Sequence, residues 1–169
     1  MFITTFEAFY RAAMPQLTLL ENFFRKHQIA GLAKIDHIGY KCASAHEFEE
    51  LRRILEEKSV FVFQSMISVR RIAIVKLRTG FETSLGPCTY LELSDQKRDM
   101  SQVSGFDHAE IYPTSCSYER LVAYLSGRGD VPRRVQKPHH ITHNVEIDMN
   151  FTLKLSLEPL VEKIKREEM

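Results

Sequence analysis

The sequence predicts an α+β fold assembled from two copies of a strand–helix–three-strand (βαβββ) module, preceded by N-terminal helices. Three observations point there. The hydrophobic spacing runs through a strand, a capped helix and three strands, then restarts at a strand after a polar stretch. Asp36-His37-Ile38 opens the first half and Asp107-His108-Ala109 opens the second. Counted from each histidine, Ser44 and Ser115 stand at the same offset of seven, and with a one-residue shift Leu51 and Leu55 correspond to Leu121 and Leu125. A lone Asp-His pair would be a weak signal. The same pair repeated in a matching helix frame is much stronger.

A chain of 169 residues suits a single domain and is long enough to bury a core without disulfide staples. Its 23 basic and 22 acidic side chains nearly cancel, giving a net charge of +1. That balance argues against a general nucleic-acid binder, which needs a basic stripe to displace counterions. The densest basic cluster, Arg133-Arg134-Val135-Gln136-Lys137, is short and reads as a solvated strand or loop. Glu7 and Arg11 interrupt any apolar run that could serve as a signal peptide, and no stretch approaches the ~20 apolar residues of a membrane span. Cys42, Cys88 and Cys116 are odd in number and form no CxxC motif, which fits a reducing cytoplasm.

The first 31 residues read as two helices. Phe2, Phe6, Phe9, Tyr10 and Ala13 recur at helical spacing, Pro15 breaks the run and starts a second helix, and Leu17, Leu20 and Phe24 continue one face to a stop at Gly31. The first module spans 35–94. It comprises a strand at 35–42, a helix capped by Ser44 with Glu47 at capping-box spacing, a hairpin of strands at 60–67 and 69–77, and a strand at 88–94. Residues 95–105 are polar and lack an apolar period, as a linker does. The second module spans 106–157. It comprises a strand at 106–112, a helix capped by Ser115 or Ser117 and ended by Gly127 and Gly129, and strands at 131–136, 141–149 and 151–157. Residues 158–169 read as a terminal helix.

Strand side chains alternate between faces. Ile38, Tyr40 and Cys42 share one face of the first strand, while His37, Gly39 and Lys41 share the other. Ala109 and Ile111 oppose His108, Glu110 and Tyr112; Leu91 and Leu93 oppose Tyr90, Glu92 and Ser94; Leu153 and Leu155 oppose Thr152, Lys154 and Ser156. Each of these strands therefore has an apolar face for a helix and a polar face carrying His, Glu or Lys. Two imidazoles and a carboxylate, His37, His108 and Glu92, could hold a divalent metal and leave positions open for substrate. Two copies of one small sheet facing each other across a pseudo-two-fold axis would bring them together. The plainer reading is a set of polar side chains on a solvated sheet face.

At these residues the sequence resembles the YecM-like family, a small bacterial group of the vicinal oxygen chelate superfamily. The matching segments are Asp36-His37-Ile38 with Cys42, the stretch 66–77 with Arg70 and Lys76, Tyr90-Leu91-Glu92-Leu93, Asp107-His108-Ala109-Glu110-Ile111, and Leu153-Lys154-Leu155. The resemblance implies a glyoxalase/dioxygenase-like paired fold with metal ligands on the first and last strands of each module. It implies His37, Glu92 and His108 as ligands of a divalent metal drawn from Fe, Mn, Ni, Co and Zn. Beside them, Glu110 and Lys154 are the candidate catalytic groups, and Arg70, Lys76, Tyr90 and Lys154 the candidates for binding substrate. The chain departs from the pattern at Lys154, where a symmetric site would place a fourth ligand; a protonated amine opposes a cation. Lys154 could instead bind a substrate anion, or pair with Glu92 in a pocket without metal. Glu110 could be a base, a further ligand or a salt-bridge partner of Lys154.

The expected function is a metal-dependent isomerase, lyase or dioxygenase acting on a small oxygen-rich metabolite in a cavity between the modules. The alternative is a metal-free protein binding a small molecule in the same cavity. Either would act as a monomer or homodimer, with no nucleic acid or membrane partner. His139-His140-Ile141-Thr142-His143 is a weaker candidate, because no capped helix follows it; His140 or His143 could line the pocket rim. Cys42 falls on the apolar face, and nothing near Cys88 or Cys116 would activate a thiolate. No glycine-rich phosphate loop or Gly-x-Ser-x-Gly elbow is present.

Overall fold

The computed structural model of the chain describes residues 3–67, 69–136 and 141–167. Helix α1 (Phe6–His27) leads into β1 (Ala33–Lys41), α2 (Ala45–Glu56), β2 (Ser59–Ile67), β3 (Arg70–Phe81) and β4 (Cys88–Ser94). The order then repeats as β5 (Gly105–Pro113), α3 (Tyr118–Ser126), β6 (Arg133–Gln136), β7 (Ile141–Asp148) and β8 (Phe151–Leu155), and closes with α4 (Leu160–Glu167). This is the paired βαβββ plan.

The eight strands form one sheet in the order β2-β3-β4-β1-β5-β8-β7-β6. Each half reads the same outward from the centre: first strand, last strand, third, second. Within each module the first and last strands are parallel, β1 with β4 and β5 with β8. The modules meet where β1 and β5 pair antiparallel. A pseudo-two-fold axis therefore passes between β1 and β5 and relates His37 to His108.

The apolar faces of the central strands carry the core. Ile38, Leu91, Leu93, Ala109, Leu153 and Leu155 are fully buried and join one cluster with residues of α1, α2 and α3. Phe9 of α1 sits across the module junction, its ring centroid 5.4 Å from that of Tyr40 and 5.1 Å from that of Phe106. Ser44 caps α2 by accepting from the Glu47 N–H at 3.1 Å. The Glu47 carboxylate reaches past the cap to accept from the Ala43 N–H at 2.7 Å and the Tyr40 hydroxyl at 3.0 Å, tying α2 to β1. Ser117 caps α3, settling the choice between the two serines, and Ser115 instead donates to the Gly31 carbonyl. No helix among the described residues is long and apolar enough to cross a membrane.

The N-terminal region corrects the sequence expectation: one helix runs through Pro15 instead of two meeting there. The buried positions Phe9, Ala13, Leu17, Leu20 and Phe24 keep their phase across the proline, so a break would cost the packing of one half. Arg11 and Pro15 both lie on the exposed side. Water can therefore serve the carbonyl that loses its partner. The helix stops at Gln28, not Gly31. Gln28 adopts a left-handed conformation (φ 53°), and its N–H closes on the Arg25 and Phe24 carbonyls.

Candidate metal centre

Strand register brings the polar face together. Beside the junction, Gly39 lies opposite both Glu92 on β4 and His108 on β5, while His37 lies opposite both Tyr90 and Glu110. On the far side of β5, Glu110 lies opposite Lys154 on β8. The two-fold thus relates Gly39 to Glu110 and Glu92 to Lys154, the correspondence expected of the departing lysine.

Two irregularities aim the histidines. In the β1·β5 ladder Asp36 has no partner between Ile35 and His37, and Asp107 has none between Phe106 and His108. Each aspartate is the extra residue of a β-bulge, which turns its side chain out of strict alternation. Asp36 Oδ2 lies 2.9 Å from His37 Nδ1, and Asp107 Oδ1 lies 2.8 Å from His108 Nδ1. In the neutral tautomer that donates Nδ1–H to its aspartate, each imidazole keeps an Nε2 lone pair directed inward. Both Nε2 atoms are buried and lack a hydrogen-bond partner. Together with a Glu92 oxygen they form a set of candidate ligand atoms, all within 4.8 Å of one another. The imidazoles meet edge to face with centroids 5.5 Å apart.

Glycine is required at position 39. A Cβ there would collide with the His108 ring, which lies directly over the Gly39 backbone.

Charges bias the two histidines in opposite directions. Burial pulls His37 down, but the hydrogen bond to Asp36 and the carboxylates of Glu110, Asp36 and Glu92 outweigh it and raise the pKa. Burial and the nearby Lys154 ammonium lower His108 despite Asp107. Burial opposes ionisation of Glu92, but His108, Lys154 and His37 prevail and lower its pKa. Glu110 is likewise held well below the carboxylate range against burial, by His37, Lys163, Lys154 and the Ser156 hydroxyl. Glu92 Oε2 stands 3.8 Å and Glu110 Oε2 3.7 Å from His37 Nε2.

The sequence-derived residues do not all gather here. His37, Glu92 and His108 converge, with Glu110 beside them. Tyr90 adjoins His37 by register, and Lys76 Nζ sits 5.4 Å from the centre of the Tyr90 ring. Lys154 occupies the same face but makes no ion pair within 4.0 Å among the described residues, so neither Glu92 nor Glu110 is its salt-bridge partner. Glu110 is paired instead by Lys163 of α4 at 3.1 Å and also accepts from Ser156. Arg70 stands apart. It is four residues along β3 from Ile74, the partner of Glu92, a distance of about 13 Å at strand rise. Its guanidinium donates to Gln102. His143 faces the helices, with Nδ1 2.7 Å from the Tyr118 hydroxyl, and does not line this face. His139 and His140 lie outside the described residues.

Sequence reasoning did not assign roles to Asp36, Asp107, Gly39, Ser156 and Lys163. The two aspartates were visible as a repeated signature. Lys163 carried no signal, because only the path of α4 brings it here, anchored where the Leu160 N–H donates to Asp36 Oδ2 at 2.9 Å.

Two βαβββ modules sharing one sheet, with imidazoles from both first strands meeting at the axis, make a glyoxalase-like fold. The chain belongs to the YecM protein family, whose model matches residues 11–163. A solved structure described as structural genomics protein EC4020 is 21% identical over 94% of this chain and 92% of its own, with a TM-score of 0.66. Methylmalonyl-CoA epimerase from Mycobacterium tuberculosis is 11% identical over 78% of this chain and 91% of its own, with a TM-score of 0.52. These likenesses show the fold. No curated protein matches the chain.

Proposed function

We propose that the chain is a divalent-metal-dependent enzyme acting on a small oxygen-rich metabolite, with isomerase, lyase and dioxygenase chemistry all compatible. The observation that carries this reading is the pair of buried, partnerless Nε2 atoms aimed with Glu92 at a common point. A buried polar atom left unpaired costs about 1–3 kcal/mol. A cation held between these two atoms and Glu92 would satisfy both.

His37 and His108 would hold the ion through Nε2 and Glu92 through a carboxylate oxygen, a donor set suited to Fe, Mn, Co, Ni or Zn. When bound, such an ion supplies Lewis acidity towards substrate oxygens. The chain's own residues do the rest. Asp36 and Asp107 hold the imidazoles in one tautomer. Glu110, ionised at neutral pH, takes a proton from substrate, and Lys163 and Ser156 moderate its basicity. Lys154 orients an anionic substrate group, and Tyr90 and Lys76, three and four strands away across the sheet, contact another part of the substrate. The likeness to an epimerase supports only that such a fold accommodates this class of chemistry.

Lys154 favours a second reading. A cation where symmetry wants a carboxylate suits a metal-free face that holds a small anion. Metal analysis separates the two. Protein purified without chelators and incubated with each of the five ions is expected to retain one equivalent, lost in His37→Ala and His108→Ala. Protein that stays metal-free with all five ions would overturn the metal reading and favour the second.

A further inference from the structure

The two edges of the sheet are built differently. Strand β6 is short, four residues, and two of them are Arg133 and Arg134. Charge and brevity are ordinary defences of an edge against pairing with other chains. Strand β2 has neither. It runs nine residues, Ser-Val-Phe-Val-Phe-Gln-Ser-Met-Ile, without a charged residue or a proline. Its one irregularity is a bulge at Val60, near the start, which leaves seven regular residues from Phe61 to Ile67. Large apolar side chains are exposed along it: Val60 at 65%, Phe61 at 40% and Met66 at 63%. Every second residue of an edge strand also presents an unpaired N–H and C=O outward.

We infer that β2 is a pairing edge for a second copy of this chain, joining two sheets antiparallel about a two-fold axis at Gln64. An isologous contact places each strand opposite itself, so an uncharged strand meets no like charge. Full overlap of the seven regular residues puts the axis at Gln64. Phe63 then faces the partner's Ser65, Val62 faces the partner's Met66, and the two Gln64 amides meet, each able to donate and accept. Pairing β2 with β6 instead would bury Arg133 and Arg134 against an apolar strand and leave free edges at both ends of an open chain.

The test is the mass of the full chain in solution, followed by sedimentation across a dilution series. The expectation is a species of twice 19.7 kDa that dissociates on dilution. Gln64→Lys/Met66→Lys, which sets like charges across the axis, is expected to halve that mass while the circular dichroism spectrum stays unchanged. Gln64→Cys is expected to give a covalent dimer with a short bis-maleimide, and this readout decides the matter if the lysine variant fails to fold. A wild-type monomer at the highest concentration would overturn the proposal. So would a dimer that survives in a folded lysine variant, or masses that climb without a plateau as head-to-tail pairing requires.

Discussion

Gly39→Ala is the sharpest probe of the centre, because two effects of opposite sign compete. In an ordinary strand, replacing glycine by alanine gains roughly 0.5–1 kcal/mol from the stiffer unfolded chain. Here the new methyl would occupy space filled by the His108 imidazole. Overpacking of this kind costs about 1–3 kcal/mol. Relieving it by swinging the ring away breaks the 2.8 Å bond to Asp107, a charge-assisted contact of about 1.5–3 kcal/mol. The collision wins by either route, and the variant should be destabilised by about 1–2 kcal/mol net. Its affinity for cobalt should fall with the misplacement of His108. Urea denaturation followed by circular dichroism reads the first effect, since the chain has no tryptophan. Visible absorption of the cobalt-loaded protein reads the second. In Gly39→Ala/His108→Ala the collision is gone, so the penalty specific to alanine at 39 should vanish. Gly39→Ala with wild-type stability and cobalt affinity, or an equal penalty in the His108→Ala background, would refute the reasoning.

Other consequences are open to simple assays. Lys154→Glu places a carboxylate at the position related to Glu92, so divalent-ion affinity measured by calorimetry should rise at least tenfold; a fall would mean that Lys154 is not poised over the centre. Pro15→Ala restores a hydrogen bond on the exposed side of α1 and should raise unfolding free energy by about 1–3 kcal/mol, the usual interior cost of proline; unchanged stability would show that the helix has already relaxed around it. His27 is buried, with Asp130 2.8 Å from Nε2; burial lowers its pKa below 6.5, Asp130 opposes, and Lys26 and Arg128 add to the lowering. The unfolded chain therefore binds its proton first, and the stability from neutral His27, present above pH 6.5, drains away as pH falls towards the lower folded value. Melting temperature should drop over that window in the wild type and drop less in His27→Gln.

Much of this was legible from residue order. The repeated Asp-His pair announced the duplication, and strict alternation placed His37, Glu92, His108, Glu110 and Lys154 on one face. What escaped is what alternation and local signals cannot encode. The bulges at Asp36 and Asp107 exist only in the pairing of β1 with β5. Pro15 is a local stop signal, overruled by the tertiary burial of Phe9 and Leu17 on either side. Arg70 shares the face of Glu92, but it lies too far along β3 to reach it, and distance along a strand becomes meaningful only when the register is known. The rim role given to His143 failed for a related reason: β7 pairs it with Leu155, on the side covered by α3.

The two-fold axis governs the backbone and stops at the charges. Rotation about it carries Glu92 onto Lys154 and the bare Gly39 onto Glu110. A molecule seated over the axis and turned end for end would meet a cation where it had met an acid. Its two ends are thus inequivalent to the protein even when they are chemically alike. The paired scaffold thus presents two unlike half-sites, and a molecule lying across them would be held in one orientation and not in the reverse.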